Sequence, residues 1–342
     1  MVRASFERYT LRFREVAITS RASMRVKNTY LLRLEADELP GRKTLGEVAL
    51  FEGLSLEDTP AFESILAETC RRISECRTLA EAMDRLPEVS SIRFGFESAI
   101  LRSGLLPPSD SQRRWLSGES GIEINGLVWM GDKQTMRRRI REKLDAGFRC
   151  VKLKIGGIRF EDEIELLAEI RSEYSPDDIE LRLDANGGFT PENAMERLER
   201  LAAFTIHSIE QPIKPGQWEE MRRLCRLSPI PVALDEELIG FRSDDEKQRM
   251  LESISPQYII LKPSLCGGFR EADRWIELAV AAGAAWWGTS ALESDIGLEA
   301  LGLWTAGHDP SMPQGLGTGN LYTNNFPSPL RLEGSRLWYK NS

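Results

Sequence analysis

Between residues 150 and 262, short apolar runs repeatedly stop at a charged side chain. They read Cys150-Val151-Lys152-Leu153-Lys154, Ile179-Glu180-Leu181-Arg182-Leu183-Asp184, Ile206-His207-Ser208-Ile209-Glu210, Pro231-Val232-Ala233-Leu234-Asp235 and Tyr258-Ile259-Ile260-Leu261-Lys262. Runs this short and this rich in branched residues predict core strands, each with a functional group at its C-terminal end. Strand candidates begin near Ile124, Cys150, Ile179, Ile206, Pro231, Tyr258 and Ala285, with a weaker eighth at Gln314-Gly315-Leu316-Gly317. The spacing of roughly 25 to 30 residues is that of a βα unit with its loops. Amphipathic helices fit between: Lys133 to Ala146, ended by Gly147; Phe160 to Tyr174; Pro191 to Phe204, capped by Thr190; Arg270 to Ala282, ended by Gly283; and Glu293 to Ala306.

Consecutive βα units need parallel strands, and closing the sheet removes its edges, so residues 116–320 are expected to form an α/β barrel. An open doubly wound sheet fits less well, because no Gly-x-Gly-x-x-Gly follows the first strand. Residues 1–115 read as a smaller α+β domain. Its strands are expected at Phe6 to Phe13, Tyr30 to Leu34 and Leu45 to Leu50, and its helices at Pro60-Ala61-Phe62 onward, capped by Asp58 or Thr59, and at Ser90 to Ser103. The last residues, about 320–342, are expected to rejoin this domain. A polar loop, Thr19 to Asn28, separates the first two strands. Part of it, Ser20 to Asn28, is expected to cover the barrel rim and bring Arg21, Arg25 or Lys27 close to an anionic substrate.

Composition narrows the partners. The net charge of −8, from 45 basic and 53 acidic residues, argues against nucleic acid. No apolar run is long enough to span a bilayer, and no apolar segment follows Met1 as in a signal peptide. The five cysteines lack zinc-like spacing and read as reduced thiols of a cytosolic protein. A small molecule is the expected partner; oligomeric state is not legible.

In a parallel barrel the C-terminal strand ends share one rim, where active sites lie. Asp184, Glu210 and Asp235 then end three neighbouring strands, and carboxylates that close repel one another unless a cation joins them. All-oxygen ligation favours Mg²⁺, with Mn²⁺ as a substitute. Lys154 and Lys262 end strands on opposite sides of the barrel, and Lys152 shares a strand face with Lys154. Inward lysines near a cation and each other are expected to have lowered pKa values, as a general base needs. His207 reads as a packing residue. Thr289 and Ser290 can donate hydroxyl hydrogen bonds to a substrate carboxylate, helped by backbone N–H groups at the following helix start. A capping box between Ser290 and Glu293 is the other reading of that stretch. Gly315 to Asn320 is Gly-rich and free of acids, which suits an anion or an acyl chain better than an ammonium.

Lys152-Leu153-Lys154, Asp184-Ala185-Asn186, Glu210-Gln211-Pro212, Asp235-Glu236 and Lys262-Pro263 together resemble the motifs of the enolase superfamily, and within it the muconate lactonizing enzyme subgroup. The resemblance implies a modified (β/α)₇β TIM barrel with an N-terminal α+β capping domain, Mg²⁺, and removal of a proton α to a carboxylate. It implies that Asp184, Glu210 and Asp235 hold the metal, Lys154 is the base, Lys262 steadies the enediolate, Lys152 contacts the carboxylate and Asn186 orients the metal's surroundings. Thr289-Ser290-Ala291-Leu292-Glu293-Ser294-Asp295-Ile296-Gly297 is similar to a stretch of those members that dehydrate a succinylated hydroxycyclohexadiene carboxylate in menaquinone biosynthesis. Members that epimerise dipeptides carry an Asp-x-Asp at the eighth strand, which this chain lacks. Racemisation of N-succinylamino acids or epimerisation of dipeptides is the alternative, and a catalytically silent barrel that only binds or scaffolds is the least favoured reading.

Overall fold

The computed structural model describes residues 1–18 and 23–340. The alternation seen in the first strand runs further than its apolar core suggests. Strands β1 (Val2–Ile18) and β2 (Ser23–Ala36) form a long antiparallel ribbon with Val2 opposite Ala36 and Arg12 opposite Val26; β3 (Lys43–Val48) pairs with β2. Residues 23–28, expected as loop, are therefore strand. Ser23, Arg25 and Val26 are exposed there, so the polar stretch marks an uncovered ribbon end rather than a break in the ladder.

Helices α1 (Phe62–Ile73), α2 (Leu79–Asp84) and α3 (Ser90–Arg102) follow, and α4 (Asp110–Leu116) leads out. The ribbon packs Tyr30, Leu32 and Leu34 against Phe62, Leu66, Ile92 and Phe96. Neither Asp58 nor Thr59 caps α1 with its side chain; Asp58 instead accepts from the Gly53 amide at 2.7 Å. α3 lies so close to β3 that a Cβ on Gly46 would collide with the Gly95 carbonyl oxygen.

A short β4 (Ile122–Glu123) precedes the alternating units: β5 (Gly126–Val128), α5 (Lys133–Asp145), β6 (Cys150–Lys154), α6 (Phe160–Glu173), β7 (Glu180–Asp184), α7 (Pro191–Ala202), β8 (Ser208–Glu210), α8 (Trp218–Leu227), β9 (Val232–Leu234), α9 (Asp244–Ile254), β10 (Tyr258–Leu261), α10 (Phe269–Ala281), β11 (Ala285–Gly288) and α11 (Asp295–Gly307). β5 to β11 pair in chain order as one parallel sheet. The expected eighth strand shrinks to two bridges, Ile124 with Gln314 and Thr289 with Gly315, which join the sheet's two edges. A segment of glycine, proline and glutamine has few branched side chains to pack as a strand. The chain ends with the hairpin β12 (Leu330–Glu333) and β13 (Arg336–Tyr339), which pairs with β4, while Tyr322 bridges back to Phe13 of β1.

Alternation decides what each barrel residue faces. Val151, Leu153, Leu181, Leu183, Ile209, Val232, Leu234, Ile259 and Leu261 pack outward into the large core shared with the helices. Ala233, Ile260 and Trp287 form a separate inner cluster. Lys152, Arg182 and Ser208 lie in register one layer below Lys154, Asp184 and Glu210. Branched apolar side chains usually fill such an interior; here charge does. Near its base His207 packs on Tyr258, ring centroids 5.1 Å apart, as a packing residue should.

Two buried carboxylates of the small unit hold it over the rim. Glu47 accepts from the Ser294 amide at 2.9 Å and the Gly297 amide at 3.0 Å, at the start of α11. Glu97 accepts from the Phe269 and Arg270 amides at the start of α10. Helix N-termini present unpaired N–H groups and partial positive charge, so an acid from a neighbouring unit caps them well.

Candidate active site

Lys154, Asp184 and Glu210 are the last residues of β6, β7 and β8, and stand opposite one another in register. Asp235 and Lys262 come one residue after β9 and β10. The side chains meet over the barrel centre. Lys154 Nζ donates to Asp184 Oδ2 at 2.8 Å; Lys152 Nζ reaches Asp184 Oδ2 at 3.2 Å and Glu210 Oε2 at 2.9 Å; Lys262 pairs with Asp235. The acids are 1–3% exposed, so water screens little of their charge. Asn186, with φ +45°, accepts from Lys154 at 2.7 Å and donates to Glu236 Oε1 at 3.1 Å.

Burial and mutual charge split the titrations. Burial, the Asp184 and Asp235 charges together push Glu210 up to about 8. Asp184 suffers the same burial but is held well below the usual carboxylate range by Lys154, Lys152 and Lys262. Burial, with the Lys152 charge adding to it, lowers Lys154. Burial also works against Lys152 and Lys262, yet the acids around them win and both are raised. The expectation that all inward lysines are lowered is thus corrected: the acids around Lys152 and Lys262 raise both, whereas at Lys154 burial outweighs the neighbouring Asp184 charge.

Among the described residues no three His, Cys, Asp or Glu side chains are gathered as a ready-made metal cage, because the lysine ammoniums sit between the acids. The donor set nevertheless fits a hard cation. Glu210 Oε1 is buried without a hydrogen-bond partner among the described residues, and burial followed by the Asp184 and Asp235 charges raises its pKa, both of which a cation would offset.

A cavity of about 260 Å³ opens above this layer, a size for a small organic acid rather than a polymer. Lys152, Lys154, Asp184, Asn186 and Lys262 line its floor, and Thr289, Ser290, Gly315, Gly317 and Thr318 one wall. The Thr289 hydroxyl is buried and has no hydrogen-bond partner among the described residues. Ser290 differs from its expected role. Its hydroxyl donates to Glu293 Oε2 at 2.5 Å and accepts from Thr318 at 2.8 Å, so its hydrogen is not available to a ligand. Nor does Ser290 cap the helix; Ser294 does, accepting from the Ile296 amide at 3.2 Å, and Glu47 takes up the helix-start N–H groups expected to face a substrate.

Of the covering residues, Arg21 lies outside the described residues, Arg25 is exposed, and Lys27 is buried with no hydrogen-bond partner for Nζ among the described residues. Neither Arg25 nor Lys27 lines the cavity; Met24 does, with Phe51, Glu52, Gly53 and Leu54. Asn125 and Trp129, absent from the sequence-based site, also line it. Trp129 directly follows β5, the strand before the one that Lys154 ends. That strand-end position is the one signal of it in the sequence, where Trp129 carries no charge to mark it.

A rim of acids and lysines on a (β/α) barrel, covered by an N-terminal sheet, defines the class: the chain belongs to the Enolase C-terminal domain-like family, whose family model matches residues 135–337. Within it, the chain is 44% identical to the o-succinylbenzoate synthase of Desulfotalea psychrophila (strain LSv54 / DSM 12343), across 97% of this chain and 98% of that protein. The crystal structure of MenC from Desulfotalea psychrophila LSv54 superposes with a TM-score of 0.85 at 40% identity, covering 98% of this chain and 99% of that one. Muconate lactonizing enzyme from Pseudomonas fluorescens, complexed with muconolactone, shares the fold, with a TM-score of 0.81 at 22% identity over 99% of this chain and 93% of that one.

Proposed function

We propose that the chain carries out the o-succinylbenzoate synthase reaction, loss of water from 2-succinyl-6-hydroxy-2,4-cyclohexadiene-1-carboxylate to give 2-succinylbenzoate, in menaquinone biosynthesis. The observation that carries this reading is the 44% identity across nearly the whole of both chains. Asp184, Glu210 and Asp235 would hold Mg²⁺, or Mn²⁺ in its place. The bound ion supplies positive charge to the substrate's ring carboxylate, which makes the neighbouring hydrogen more acidic.

The chain's own residues do the rest. Lys154, lowered by burial, takes the α-proton as a neutral amine; the C–H electrons move into the carboxylate as an enediolate. Lys262 remains an ammonium on the opposite side and steadies that charge, in keeping with its raised pKa. The C–O bond to the hydroxyl then breaks, Lys154 returns its proton to the departing hydroxide, and water leaves as the ring becomes aromatic. Lys152 bridges Asp184 and Glu210 and adds positive charge for the same carboxylate. Asn186, bonded to Lys154 and Glu236, fixes the amine's direction. The Thr289 hydroxyl and the uncharged wall at Gly315 suit the succinyl chain.

One observation favours a second reading, N-succinylamino acid racemisation: Lys154 and Lys262 both line the cavity, as a two-base reaction requires. Giving the Mg²⁺-loaded protein both substrates in deuterated water decides. Rapid elimination with slow racemisation supports the synthase; fast deuterium exchange into the amino acid with poor elimination would replace it.

A further inference from the structure

The cavity has an apolar side that the chemistry above does not use. Trp129 is its centre. The indole lines the cavity and packs with Met24 and Phe51 of the small unit against the Leu11, Phe13, Leu292 and Tyr322 cluster. Its ring faces the Lys154 ammonium, with Nζ 5.9 Å from the centroid. The backbone under it is pinned as well. Arg139 Nη1 donates to the Trp129 and Met130 carbonyls at 3.2 and 2.9 Å, and its Nη2 bonds Glu15 of β1 at 3.1 Å. Barrel and covering sheet therefore both hold this one ring beside the base. The polar end of the cavity lies elsewhere: the buried Thr289 hydroxyl and the Asn125 side-chain Oδ1 lack partners among the described residues and call for a polar group or water.

A preset flat aromatic face rewards a flat ligand. An unsaturated six-membered ring can lie on it over its whole area, and the π-systems attract beyond simple area burial. An acyclic acyl amino acid offers no such face. We infer that Trp129 is a specificity-determining residue of this site: its indole is the platform on which the conjugated diene of the substrate's ring, and the flat ring of the product, rests within reach of Lys154, so that ring-bearing acids are chosen over acyclic ones of the same charge. This inference rests on the synthase reading for the identity of the ring, and on the cavity wall for the platform itself.

The test compares two ligands of like charge, 2-succinylbenzoate and N-succinylalanine, by calorimetric titration of the Mg²⁺-loaded full chain. Trp129→Leu should weaken 2-succinylbenzoate by about tenfold or more and leave N-succinylalanine within about threefold, while Trp129→Phe, which keeps a flat ring, restores most of the difference. In turnover of the cyclohexadiene substrate, the Leu variant should raise KM more than it lowers kcat. Wild-type protein labelled with fluorotryptophan gives a reading that needs no stable variant other than Trp129→Phe for assignment: 2-succinylbenzoate should shift the Trp129 fluorine resonance and N-succinylalanine should not. Equal weakening of both ligands, or no ring-dependent shift, would overturn the platform. Wild type that racemises N-succinylamino acids but does not dehydrate the cyclohexadiene would overturn the synthase reading instead, and the ligand comparison would still report on Trp129.

Discussion

Lys154 and Lys262 share a cavity but not an environment, and that inequality is testable. Lys154→Ala should abolish both α-proton exchange and dehydration, by about 10³-fold or more, measured as deuterium incorporation and product formation. Lys262→Arg should keep part of the dehydration that Lys262→Ala loses, since a fixed positive charge is what that side supplies. Thr289 makes a different prediction. Its buried hydroxyl has no partner among the described residues, so Thr289→Val should leave the thermal midpoint equal or slightly higher while raising KM about three- to tenfold. At this scale the sequence reached the charged residues, because a charge at the end of an apolar run stands out. Trp129 and Asn125 stayed hidden: an aromatic or amide flanking a strand is usually packing, and only the folded chain brings these two to a cavity that Met24 and Phe51 of the covering unit also line. The pKa split also lay beyond sequence, since it turns on how burial, the shared Asp184, Glu210 and the neighbouring lysine charge balance at each ammonium.

Among the elements, the parallel units could be read from their period, and the strands themselves were short enough to be unambiguous. Capping was legible only where it is local. Thr190 forms a capping box on α7 as its sequence suggests, whereas Ser290 does not cap α11, because Glu47, far away in the chain, holds the helix start and Ser294 sits at the cap. Glu97 does the same for α10, and burial pushes its pKa up to about 7. A carboxyl that titrates higher when folded adds stability that is full below its unfolded pKa, near 4.3, and is lost as pH rises through about 7. Wild-type stability should therefore carry a downward component between those values that Glu97→Gln removes. Urea unfolding at several pH values reads it as the difference between the two proteins. Glu47→Ala should lower stability more, since it leaves the Ser294 and Gly297 amides unpaired in a buried seam, while the Thr29 hydroxyl keeps the Val48 carbonyl as acceptor.

For the molecule as a whole, the barrel interior buries three acids and three lysines together, and the proposed cation is tested by removing it. Removing divalent ions with EDTA should abolish activity without changing the circular dichroism, and adding back Mg²⁺ or Mn²⁺ should restore activity and raise the melting temperature. Full activity of chelated protein would rule out the metal reading. The seven-stranded sheet was legible from residue spacing; its closure through two bridges was not, since residues 314–315 carry no strand signal. The lashing of the covering unit has a consequence for shuffling parts among relatives. A chimera that joins one protein's first hundred residues to another's barrel breaks two caps at once unless the donor brings acids that land on the same two helix starts. Recombination points between α3 and β4 should thus yield soluble protein only when the partners at Glu47 and Glu97 travel together with the helices they hold. The unit of inheritance here is a clasp with both of its halves, and a cut at the visible border between the two layers falls between them.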